Sequence, residues 1–141
     1  GEDATTEFGL VRQMIASHSI DNKLELAWRQ KPEDNDRIEK YQGKLILGLV
    51  LLAGECARRT AALEINFETS TDGVKLDINL SGERCALHAE TRAGFNQNIA
   101  IDDITVRNVV AYYCCQISQA NQLVLKFSDE SPNSVKFNVT E

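Results

Sequence analysis

The sequence predicts one α+β domain over residues 1–141, a two-layer α/β sandwich with about five strands in a mixed sheet and two or three helices on one face. Three observations predict it. Gly43–Glu55 is a single aliphatic run, too short to span a bilayer and bracketed by polar sequence, which makes it the middle of a buried helix. Residues 63–80 alternate polar and apolar around an Asp-Gly turn. Residues 123–139 repeat that alternation around a polar turn, giving a second hairpin.

In order, Ala4–Ser17 places Phe8, Leu10, Val11, Met14 and Ile15 at helical spacing, with Thr5 or Thr6 and Glu7 as weak start signals. Residues 1–19 are read as a helix leading into the domain. Lys23–Arg29 alternates, so Leu24, Leu26 and Trp28 face one way as a strand, and Lys31–Asn35 with Pro32 is a loop. The core helix is predicted over about Asp36–Thr60, because Leu loses little rotamer freedom in a helix. Glu33-Asp34-Asn35-Asp36 reads as its cap and Arg58-Arg59 as compensation of its C-terminal dipole.

The first hairpin points Leu63, Ile65 and Phe67 inward from one strand and Val74, Leu76, Ile78 and Leu80 from the next, with Thr71-Asp72-Gly73 as its turn. Ser81–Asn98 is irregular, with a helical turn near Leu87–Ala93. Asp102-Asp103 is read as the cap of a helix over about Ile104–Gln119, whose packed side carries Val106, Val109, Val110, Tyr113 and Ile117. Strands at 123–127 and 135–139, joined by a turn at Asp129–Asn133, close the chain.

Composition bounds what such a domain can do. A chain of this length buries roughly two thirds of its unfolded surface, so its core needs no staples. The formal charge of -6, with scattered basic residues, excludes a phosphate-tracking surface and hence nucleic acid as a partner. No signal peptide, transmembrane span or lipidation motif is present, so no membrane partner and a cytoplasmic location are expected. Cys56, Cys85, Cys114 and Cys115 form no C-x-x-C pair and read as reduced, buried thiols. There is no G-x-S-x-G and no Walker-type loop. The sequon Asn138-Val139-Thr140 falls in a strand and is read as chance, Trp28 reads as core, and Tyr112-Tyr113 read as half-buried.

The element order, an apolar helix before a hairpin and a last helix before a final hairpin, resembles the ATPase-like (GHKL, or Bergerat) domain of histidine kinases. Within that group it is most similar to the C-terminal domain of the alphaproteobacterial histidine phosphotransferases, the ChpT-like family. The resemblance runs over about residues 20–141 and rests on three pieces. These are Leu45–Glu55, then Val74–Leu87 with Ser81-Gly82-Glu83-Arg84, then Thr105–Tyr113, which is similar to the family's R-x-V-x-A-Y helix.

Residue by residue, the resemblance implies a domain without nucleotide chemistry. Where a working kinase has an N-L-L-x-N-A box, this chain has Gly48-Leu49-Val50-Leu51-Leu52-Ala53, so Leu52 stands at the metal-binding amide and offers no oxygen to a hard cation. Where the D-x-G-x-G motif reads adenine, the chain has Leu80-Ser81-Gly82-Glu83-Arg84, with Leu80 for the Asp and Arg84 for the second Gly. The stretch Ala93–Ile104 has only Gly94 in place of a Gly-rich phosphate lid. No catalytic, cofactor-binding or metal-binding residue is therefore assigned, and no cofactor is expected.

The family's chemistry uses a histidine on a helical hairpin N-terminal to this domain, absent from this chain. His18 lacks a phosphoacceptor box and reads as an exposed helix C-terminal residue favourable to the dipole; His88 reads as incidental. Either the histidine-bearing bundle has been removed ahead of Gly1, which Gly in place of Met favours, or this member lacks one. The resemblance implies a response-regulator receiver domain as partner and allows a homodimer through a helical bundle outside or at the N-terminus of the chain. The implied function is the non-catalytic ATPase-like domain of a two-component phosphorelay phosphotransferase. A stand-alone interaction module outside phosphosignalling, and an enzyme with divergent nucleotide binding, stay open at this point.

Overall fold

The computed structural model describes residues 4–71, 73–129 and 131–141. The elements are β1 (Thr5–Glu7), α1 (Phe8–Asp21), β2 (Leu24–Gln30), β3 (Arg37–Glu39), α2 (Lys40–Cys56), β4 (Ala61–Ser70), β5 (Gly73–Ser81), α3 (Ala89–Ala93), α4 (Val109–Ala120), β6 (Val124–Ser128) and β7 (Ser134–Thr140). Five strands form one sheet in the order β2-β4-β5-β7-β6, with β2 parallel to β4 and the other pairs antiparallel.

The predicted alternation is what builds the core. Leu63, Ile65 and Phe67 sit opposite Leu80, Ile78 and Leu76, and these in turn sit opposite Val135, Phe137 and Val139, so one sheet face is a continuous apolar surface. Helices α1, α2 and α4 cover it, with α1 against β2, α2 against β5 and β7, and α4 against α2 and β6. The opposite face stays polar. There Asp77 accepts from Asn66 (3.4 Å) and Asn138 (2.5 Å), and Arg29 lies 3.9 Å from Glu64. This is the two-layer arrangement expected.

Several boundaries differ for physical reasons. Thr5–Glu7 is not the start of α1 but a strand paired antiparallel with Arg37–Glu39. That ribbon also shortens the core helix, which runs over Lys40–Cys56 instead of 36–60. Its start is fixed by a capping box in which Gln42 Oε1 accepts the Glu39 N–H at 2.9 Å and the Glu39 side chain accepts in return. The segment 33–36 is a turn, not a cap, since Asp36 Oδ2 accepts from Glu33 N and Asp34 pairs with Arg12 at 2.7 Å. Arg58 and Arg59 lie beyond the helix, and Arg59 pairs with Glu83 at 3.3 Å.

The last helix starts at Val109, not Ile104, and only part of the predicted side is packed, with Val110 and Ile117 lying against the core. Ala111, Cys114, Cys115 and Ser118 face inward, while Val106, Val109 and Tyr113 are exposed. In the first hairpin Ser70 pairs with Gly73, so Gly73 already belongs to β5; Asp72 of the expected turn lies outside the described residues. The turn expected at 129–133 joins β6 to β7, with Glu130 outside the described residues.

Candidate functional site

The region where the resemblance implies a nucleotide is bounded by α2, the end of β5 and the segment 82–108. Leu52 and Leu80 are both 0% exposed. Leu52 lies one turn on from Gly48, where α2 meets α4 so closely that an added Cβ would stand 2.6 Å from Cys114 Sγ. After β5 the chain keeps the bend of a glycine motif without the glycine, since Arg84 takes φ 56. Cys85 and Leu87 are then buried, and Ala86 N–H donates to Cys56 O at 3.2 Å, drawing this segment onto the end of α2. Where the resemblance places magnesium and adenine, the chain buries hydrocarbon and thiol in place of an amide and an acid. The residues present do not fit either group.

The segment that the resemblance matches to a phosphate lid is held by several contacts. Arg92 pairs with Asp129 and its guanidinium lies 5.2 Å over the Phe127 ring. Phe95 packs at a tilt against Phe127 at 4.7 Å and stacks on Phe137 at 6.0 Å, and Glu90 pairs with Arg107 at 3.5 Å. Gly94 is there for space, because a Cβ would meet Asn108 O at 2.4 Å. Asn108, buried at the start of α4, accepts from Thr105 N at 2.8 Å and donates to Asp103 O at 3.1 Å. This bridge holds Ile101–Asp103 as a 3-10 turn, so Asp102 and Asp103 do not cap α4 as expected. Asn just before an apolar helix was the one sequence signal for it; nothing in the sequence pointed to the Arg92–Asp129 pair.

His18 is not an exposed helix-end residue. Its Nδ1 lies 3.1 Å from Asn22 Nδ2, and its Nε2 is buried against Gly54 with no hydrogen-bond partner among the described residues. A nitrogen so enclosed is closed to a phosphoryl donor. His88 is exposed, and its Nδ1 accepts from Glu90 N to cap α3. All four cysteines are free and buried. Burial pushes the Cys56 and Cys114 thiols up to about 12 and Cys115 to about 11, and raises Cys85, so none is set up as a nucleophile. Cys114 and Cys115 do point apart, the first at Gly48 and the second towards Phe95 O at 4.0 Å.

Among the described residues no group of three or more His, Cys, Asp or Glu is placed to hold a metal. No helix among them is long and apolar enough to cross a membrane. A cavity of 710 Å³ opens at the far end of the sheet between Gln30, Lys31, Phe67, Val74 and Lys75, away from α2 and α4.

A mixed sheet with helices on one face, a long apolar helix facing the end of β5 and a last helix before the terminal hairpin define an ATPase-like domain of the histidine kinase type. Solved structures agree. The catalytic domain of histidine kinase ThkA superposes with a TM-score of 0.66 at 11% identity, covering 99% of this chain and 95% of that one. The mycobacterial sensor histidine kinase MprB gives 0.66 at 11% identity, with 96% and 94% covered. A bacterial phosphotransferase gives 0.81 at 15% identity, with 96% of this chain covered. This chain belongs to the histidine phosphotransferase C-terminal domain family, whose profile matches residues 8–132. It spans 64% of the length of the bacterial phosphotransferase. No curated protein matches it significantly.

Proposed function

We propose that this domain holds no nucleotide and serves a phosphorelay histidine phosphotransferase in the cytoplasm as a supporting surface, steadying a response-regulator receiver against a phosphoacceptor helix. Family membership supports the phosphorelay setting. The observation that carries the rest is the full burial of Leu52 and Leu80, the two positions from which a kinase of this fold would hold magnesium and adenine. A domain that has exchanged both polar groups for packed leucine retains the fold's surface and gives up its chemistry. The net charge of -6 would steer a receiver whose docking face is basic.

Two measurements test this reading. Mg-ATP at a hundred times a typical kinase dissociation constant leaves the melting temperature unchanged, whereas a binder would gain about 2.7 kcal/mol. Calorimetric titration of a receiver domain against a phosphoacceptor bundle gives tighter binding when this domain is attached. Equal affinity with and without it overturns the supporting role.

A further inference from the structure

The most exposed large apolar side chains among the described residues include Val106 at 95% and Ile101 at 81%. Both belong to the short stretch that ends at the start of α4, where Val109 and Tyr113 continue the apolar surface on the outer side of the helix. Isolated surface hydrophobes need no explanation. These sit on backbone that is held, not loose. The Asn108 bridge fixes 103–105, Asp103 N donates to Ala100 O at 2.9 Å, and Ile104 N donates to Ile101 O at 3.1 Å. Behind them, Thr91 Oγ1 reaches Arg107 O at 3.5 Å, and Gly94 lets α3 lie directly on Asn108. Two hydrophobes set out on a braced turn lose little conformational entropy on meeting a partner, which is the condition under which a few residues dominate an interface.

The charge around them that is left without an ion pair among the described residues has one sign. Asp102 and Asp103 are exposed and make no ion pair among the described residues, while the basic groups nearby, Arg92 and Arg107, are engaged by Asp129 and Glu90. We propose that Ile101 and Val106, flanked by Asp102 and Asp103, form a preformed docking knob for a folded protein presenting an apolar cleft rimmed by Lys and Arg. The knob names the surface used in the supporting role above, and it rests on that reading.

The test titrates a receiver domain into the unmodified chain, Ile101→Asp/Val106→Asp, Asp102→Asn/Asp103→Asn, and the control Leu10→Asp/Met14→Asp on α1. The first pair weakens binding about tenfold or more. The second slows association and flattens its dependence on ionic strength. The control changes neither, and melting temperatures stay level because every substituted side chain faces solvent. No binding by the unmodified chain removes the supporting role and the knob together. Binding that survives Ile101→Asp/Val106→Asp at full strength removes the knob alone. Concentration-dependent dimerisation of the unmodified chain, lost in that same variant, also overturns the proposal, since the knob would then meet a second copy.

Discussion

Replacing Gly48 by alanine sets two known effects against each other. Alanine in a helix interior is favoured over glycine by about 1 kcal/mol. The added methyl, however, would stand 2.6 Å from Cys114 Sγ and 3.7 Å from Val110 Cγ1, where non-bonded heavy atoms prefer about 3.5–4.0 Å. Cys114 is fully buried and short, so its sulfur cannot swing clear as a long side chain would. Instead α4 must move off α2 by about 1 Å, and overpacking of this kind costs about 1–3 kcal/mol. Taken together, Gly48→Ala is expected to lose up to about 2 kcal/mol net, a fall in melting temperature of up to roughly 8 °C for a domain of this size.

Urea unfolding followed by far-UV circular dichroism, under reducing conditions, measures it. Cys114→Ala removes the obstructing sulfur, so adding Gly48→Ala to that background should cost nothing and regain the propensity. The double-mutant cycle then gives a coupling of about 1–3 kcal/mol. A higher midpoint for Gly48→Ala alone, or two effects that add within about 0.5 kcal/mol, refutes the contact as the reason for the glycine.

Other perturbations follow from the same packing. Leu52→Asn restores the amide of a kinase but buries it without a partner, and should destabilise by about 3–5 kcal/mol while conferring no thermal shift with Mg-ATP; a shift would show that only the donor was missing. Arg84→Gly relieves a left-handed residue whose strain is about 1–2 kcal/mol, less about 0.5–1 kcal/mol of added chain entropy, so a modest rise in the urea midpoint is expected and a fall refutes it. The thiols give an alkaline limb. Cys56 and Cys114 have folded values raised from 9.0 to about 12, so their contribution is fully present below about pH 9 and is lost as pH rises towards 12. Urea midpoints should fall over that window, and less steeply in Cys56→Ala/Cys114→Ala; equal slopes would contradict it.

The elements that could be read from sequence are those whose own residues carry the signal. The alternation in 63–80 and 123–139 is local, and it gave both hairpins and the inward face of the first. The β1–β3 ribbon could not be seen, because Thr5-Thr6-Glu7 and Arg37-Ile38-Glu39 are three residues each, largely polar, and become strands only by meeting across thirty residues of chain. The face of α4 misled for a different reason. Val106, Val109 and Tyr113 drew the predicted face outward by their hydrophobicity, yet the part of the helix that rests on Gly48 is Cys114 and Val110, with Ala111 and Ser118 buried beside them. At the site, the burial of Leu52 and Leu80 was legible from the apolar run and the alternation that carry them. The enclosure of His18 and the bracing of the segment after β5 depend on distant partners, Gly54 and Asp129, that no local pattern marks.

Sheet order has a consequence for how the chain is made. Strand β7, the last in sequence, lies inside the sheet between β5 and β6, and contributes Val135, Phe137 and Val139 to its centre. On a ribosome, residues up to about 133 would emerge with β5 lacking one neighbour and a stripe of hydrocarbon bare, and the missing piece arrives only when residue 140 clears the exit tunnel. Nascent chains stalled before that point should be chaperone clients, and the interval from first helix to final strand is when this domain is most exposed to misassembly.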